Sequence, residues 1–132
     1  MKITADTNIL VRALTGDDPR QSRLAQTELA NAEVVAVTLP ALCELVWVLS
    51  RGYRISNSDI AEAIRRLLNG ANVEADRPTV EAGLVQLEAG GDFADGAIAY
   101  GGRWLGAETF LTFDKQAAKL MRARDEPVRL LS

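Results

Sequence analysis

Short runs of β-branched and aliphatic residues alternate along this chain with longer stretches of helical spacing, and that alternation restricts the fold more than any other feature. Ile3 to Ala5 reads as a first strand, followed by a helix from Thr7 or Asn8 through Leu14. Gly16-Asp17-Asp18-Pro19 forms a turn into a second helix carrying Leu24, Ala25, Glu28 and Leu29 at helical spacing. Glu33 to Val37 is a valine-rich strand, and Thr38 caps an apolar helix from Leu39 to Ser50, stopped by Gly52. Ser56 or Asn57 opens a helix with Ile60, Ile64, Leu67 and Leu68 in one stripe, ending at Gly70. Then come a strand at Val73 to Ala75 and a helix from Asp76 to Leu87, with Pro78 tolerated in its first turn. Gly90-Gly91 breaks the chain before a helix from Asp92 to Leu105. The strand Thr109 to Phe113, the helix Lys115 to Arg124 and the strand Val128 to Leu131 close the pattern. Short strands alternating with longer helices imply an α/β fold with a central parallel sheet covered by helices on both faces. In such sheets, ligands bind beyond the carboxyl ends of the strands.

A chain of 132 residues fits one domain spanning 1–132. The single cysteine, Cys43, excludes an internal disulfide and lies in an apolar run, as a buried, reduced thiol would. No stretch approaches the roughly 18 apolar residues of a membrane span. Met1 to Asp6 shows no signal region, so the expected location is the cytoplasm. Histidine is absent. That removes the commonest general base and the commonest zinc ligand, leaving hydrolytic chemistry to carboxylates, hydroxyls or an oxygen-held metal.

Five acids occupy telling positions. Asp6 ends the first strand, where it either caps the helix behind it or presents a ligand at the sheet edge. Glu44 is the only charged residue between Leu39 and Leu49. A buried carboxylate there would need a cation or donor, and the competing reading turns it to water or pairs it with Arg51. Asp92 and Asp95, at i and i+3, project from one helical face near its start, as a capping box also would. Asp114 follows the strand Thr109 to Phe113 and begins a helix, with the Thr112 hydroxyl beside it. If these acids converge, their mutual repulsion calls for a cation, and an all-oxygen donor set favours magnesium or manganese.

In order and separation, these motifs resemble the PIN-domain family, and in particular VapC-type toxins of type II toxin–antitoxin pairs. Ile3-Thr4-Ala5-Asp6-Thr7-Asn8-Ile9-Leu10 is similar to the family's opening strand-Asp-(Thr/Ser)-Asn. Glu44, in Leu42-Cys43-Glu44-Leu45-Val46-Trp47, stands where the family has its helix glutamate. Asp92-Phe93-Ala94-Asp95-Gly96-Ala97-Ile98-Ala99 resembles the third motif and Leu111-Thr112-Phe113-Asp114 the fourth. One departure is Gly96, where alanine is more usual and little effect is expected.

The resemblance implies a metal-dependent endoribonuclease using Mg2+ or Mn2+. Asp6, Glu44, Asp95 and Asp114 would be catalytic and hold the metal, with Asp92 beside them and Thr7, Asn8 and Thr112 in support. A metal-bound water would attack the phosphodiester, and no nucleophilic side chain is required. The same resemblance implies a homodimer and a cognate antitoxin as partners.

A net charge of −3 is low for a polyanion binder, although five of the acids would be committed to the metal. The backbone of an RNA substrate would then be gripped by cations among Arg12, Arg51, Arg54, Arg65, Arg66, Arg77, Arg103, Lys115 and Lys119. Trp47, Tyr53 and Trp104 are candidates for base stacking. Helices 39–50 and 57–69 carry more aliphatic residues than one stripe requires, which implies a groove for an amphipathic antitoxin segment. An antitoxin arginine or lysine reaching the acids would block the site. Two rival readings are an aspartate-nucleophile phosphatase, opposed by Asn8 where a second acid is usual, and a catalytically idle PIN-like interaction module.

Overall fold

A computed structural model describes all 132 residues. The chain forms two compact units, Met1–Asp76 and Arg77–Ser132. The first contains strands β1 (Lys2–Thr4), β2 (Val34–Ala36) and β3 (Val73–Glu74) with helices α1 (Thr7–Thr15), α2 (Pro19–Asn31), α3 (Leu39–Trp47) and α4 (Asn57–Leu68). The second contains α5 (Arg77–Glu88), α6 (Phe93–Trp104), β4 (Phe110–Thr112), α7 (Lys115–Ala123) and β5 (Val128–Leu130).

The fold is α/β and every strand pair is parallel. The strands hydrogen-bond as two sheets. β2 lies between β1 and β3, with Ile3 opposite Val35 and Val35 opposite Val73. β4 pairs with β5, with Phe110 opposite Val128 and Thr112 opposite Leu130. The strands are two or three residues long because the chain turns into helix N-caps almost at once. No helix is long and apolar enough to cross a membrane.

Helix starts follow local chemistry. Asp6, Asp18, Thr38, Ser56, Asp92 and Asp114 each occupy an N-cap, and each side-chain oxygen accepts a backbone N–H that the helix leaves free. In the first unit, Leu10, Leu42, Leu45, Leu49, Ile60 and Ile64 are fully enclosed together with Val35 of the middle strand. Each such side chain contributes about 1.5–3 kcal/mol through burial. Asn72 ties the end of α2 down, donating to the carbonyls of Leu29 at 2.8 Å and Ala32 at 2.9 Å. In the second unit, α5 and α6 bury Val80, Leu84, Leu87, Phe93 and Ala97.

α3 does not continue as an α-helix to Ser50. It passes at Val48 into a π-helical turn, Val48–Gly52, which Tyr53 closes by donating its N–H to the Val48 carbonyl. The apolar surplus expected of the helices around residues 39–50 and 57–69 corrects itself here. Most of those leucines, isoleucines and valines are spent in the core, Leu39, Val48 and Leu67 being half-buried, and Trp47 is the only large hydrophobic residue exposed on α3, the π turn or α4. They leave no fully exposed aliphatic side chain on these helices. Cys43 is half-buried and forms no disulfide, where full burial was expected.

Candidate functional site

The carboxylates with the most distinctive surroundings belong to the second unit. Asp92 caps α6, its Oδ1 accepting the Ala94 N–H at 3.2 Å. Asp95 lies in the first turn of the same helix and is half-buried. Asp114 caps α7, with Oδ1 accepting from Gln116 N at 2.9 Å and Ala117 N at 3.0 Å. Thr112 braces that turn by accepting the Asp114 N–H on its Oγ1 at 3.0 Å. The strand end, the threonine and the aspartate thus form one local unit.

These three acids sense one another. Burial raises the Asp95 carboxyl above its ordinary value, and the negative charges of Asp92 and Asp114 raise it further. All three influences act in the same direction. A carboxylate in that position is stabilised by a cation. Capping does not compete with such a role, because each capping aspartate uses Oδ1 and leaves its second oxygen open.

Asp6 and Glu44 belong to the first unit. Asp6 caps α1, its Oδ1 accepting the Ile9 N–H at 3.0 Å, and is exposed. Thr7, half-buried, and Asn8, exposed, form the first turn behind it. Glu44 corrects a sequence expectation. It was expected among apolar residues on every side, whereas α3 turns one narrow face to water and Glu44 stands on it. The reason is geometric: Leu42, Leu45, Val46 and Leu49 enter the core, and position 44 falls between them on the outside. Burial therefore supplies no argument for a cation at Glu44. No group of three or more histidine, cysteine, aspartate or glutamate side chains is gathered closely enough to hold a metal ion.

The structure also sorts the cations. Arg12 donates to Asp17 at 3.0 Å, Arg66 to Glu62 at 2.5 Å, and Arg103 to Glu126. Arg65 and Arg77 have partners as well. Arg51, Arg54, Lys115 and Lys119 are exposed. Tyr53 is half-buried, and its hydroxyl donates to Asp17 Oδ2 at 2.6 Å. Trp47 and Trp104 remain 63% and 74% exposed, and Trp104 stacks in parallel on Tyr100 with ring centroids 6.4 Å apart.

Two features have no signature in the sequence. One is the Asp17 cluster, where Tyr53, Thr15 and Arg12 converge and hold the carboxyl down at about 2. The other is a cleft of about 320 Å³ in the second unit, lined by Val85, Tyr100, Phe110, Met121 and Arg124 among others. It contains none of the five acids. Arg124 is held there by the carbonyl of Leu120 and the Gln86 side-chain oxygen, neutral acceptors both, and Gln86 Nε2 is buried without a partner.

Parallel strands whose ends run into the helix-capping aspartates Asp6 and Asp114 define an α/β fold. The chain belongs to the PIN domain family, whose model matches residues 3–123. PIN domains are generally metal-dependent nucleases. No curated protein matches the chain.

Proposed function

We propose that this protein is a metal-dependent endoribonuclease that acts as a VapC-type toxin, paired with a cognate antitoxin, homodimeric and cytoplasmic, with residues 1–132 as one PIN domain. The observation that carries this reading is Asp95, whose carboxyl is raised by burial and by its acidic neighbours Asp92 and Asp114 within a PIN-family chain.

The donor set fits a hard divalent ion. It consists of carboxylate oxygens, with no histidine or thiolate among them, and magnesium commonly takes only one or two carboxylates while keeping its waters. One or two of Asp92, Asp95 and Asp114, with waters completing the shell, would hold Mg2+ or Mn2+, and the resemblance of their motifs assigns Asp6 and Glu44 to the same role. When bound, such an ion lowers the pKa of a coordinated water and offsets charge on a phosphate. The chain's own contribution is positional. The α6 and α7 caps fix Asp92 and Asp114, and Thr112 orients the turn into Asp114, while Thr7 and Asn8 take a supporting place behind Asp6 on the resemblance of their motif. Half-burial of Asp95 keeps its charge poorly screened and its demand for a cation high.

The test is cleavage of a structured RNA by the purified protein with manganese, with EDTA, and with Asp95→Asn. Cleavage that needs manganese and is lost in Asp95→Asn supports the reading. Cleavage that persists in EDTA, or an intact Asp95→Asn enzyme, overturns it. Sequencing RNA ends after induced expression would identify the target, and loss of cleavage on adding the product of a neighbouring small gene would establish the antitoxin.

A further inference from the structure

Between Ala41 and Arg51 only three residues are exposed: Glu44, Trp47 and Arg51. Their spacing, i, i+3 and i+7, puts them on one side of the helix as it runs from α3 into the π turn. At about 1.5 Å per residue, that line covers roughly 10 Å. An acid, an indole ring and a guanidinium therefore follow one another along a single outer edge.

The segment beyond is held rigidly. Arg54 has a φ of 53°, in the left-handed region that bulky side chains avoid. Such a conformation persists where its surroundings over-determine it, and π turns recur at functional positions. Here the surroundings are specific. Ile55 N donates to the Leu49 carbonyl at 3.0 Å, and the Tyr53 hydroxyl reaches across to Asp17. The strut consumes Tyr53, Asp17 and Arg12 while leaving Arg51 and Arg54 exposed on either side, neither engaging a carboxylate.

We propose that this edge is the track for single-stranded RNA: Trp47 stacks a base, and Arg51 and Arg54 hold backbone phosphates on the side away from Glu44. The proposal rests on the ribonuclease reading above and deepens it. Protein docking is the less favoured use of the surface. An amphipathic partner helix requires neighbouring aliphatic anchors, and Trp47 has none exposed on α3, the π turn or α4. An isolated aromatic ring beside unpaired arginines matches base stacking joined to phosphate contact. Tyr53 is a positioning residue, acting through the two arginines.

The experiment measures anisotropy of a fluorescein-labelled single-stranded RNA dodecamer bound to the full chain in EDTA, across a salt series. Trp47→Ala should weaken binding about tenfold, and Trp47→Phe should recover most of it. The Arg51→Ala/Arg54→Ala double variant should reduce the slope of log K against log salt by about 1.4, roughly 0.7 per lost phosphate contact. Tyr53→Phe should flatten the same slope without touching either arginine. Trp104→Ala, at least as exposed, should bind like the parent.

Variants at 47, 51 and 54 that bind RNA like the parent would overturn the track while leaving the ribonuclease reading intact, provided the parent still cleaves. A parent that neither binds nor cleaves RNA removes both. Loss of a co-expressed protein partner in these variants, with RNA binding unchanged, would make this a protein surface and reject the proposal. Circular dichroism of each variant separates loss of contact from loss of fold.

Discussion

Gly96 of α6 lies directly against the backbone carbonyl of Ala82 in α5, with no room between them for a methyl group. A Cβ there would also stand 2.7 Å from Gln86 Cβ. The carbonyl is fixed by its helix, so neither neighbour gives way cheaply. This reverses the expectation that alanine, more usual at that place in the family motif, would be neutral here.

Gly96→Ala should therefore destabilise the protein by about 1–3 kcal/mol, the usual range for overpacking a close contact. The measurement is the midpoint of urea unfolding. A midpoint equal to the parent's would mean that α5 and α6 separate more easily than their packing implies. Because Asp95 is the adjacent residue, cleavage should fall as well, even at temperatures where the variant is folded.

Asp95→Asn should melt at a higher temperature than the parent at neutral pH in EDTA. The sign follows from the raised carboxyl. The folded state binds a proton more readily than the unfolded chain, so stability falls as pH rises from about 3.8, the ordinary aspartate value, through the raised folded value. Asparagine removes that penalty. The advantage should disappear in acid, where the parent's Asp95 is protonated in both states. Melting curves of the two proteins at several pH values check this.

Manganese should raise the melting temperature of the parent near neutral pH, and EDTA should reverse the effect. At a free ion concentration 100 times the dissociation constant, the gain is about 2.7 kcal/mol. Asp95→Asn should lose most of this response. An equal response in parent and variant would move the ion away from Asp95.

Tyr53→Phe should narrow acid tolerance. In the parent, Asp17 is held down at about 2, first by the Tyr53 hydroxyl and then by Thr15 and Arg12. A depressed carboxyl contributes stability above its ordinary value of 3.8 and loses it as pH falls toward 2. The stability gap between parent and Tyr53→Phe should thus be present above about pH 4 and close near pH 2. It should be modest and sensitive to salt, because Asp17 is exposed. A gap independent of pH would assign the tyrosine's effect to packing.

Chain-local chemistry made much of this protein readable from its residues alone. Helix stripes such as Ile60, Ile64 and Leu68, and caps such as Thr38, Ser56 and Asp114, depend on neighbours within a few positions, so the sequence states them directly. The four acidic motifs were legible for the same reason, three sitting at a strand end or helix start and Glu44 standing alone inside an apolar helix. What tertiary structure decided is which way each helix turns and what meets it. Glu44 faces water because four aliphatic neighbours claim the core side, and Trp47 is exposed on that same side. Gly96 is favoured over alanine because another helix's carbonyl stands over it. Tyr53 meets Asp17 across 36 residues of sequence. Periodicity encodes that a helix has a buried face, but the choice of partner across that face belongs to the whole fold, because packing energy is summed over residues distant in the chain.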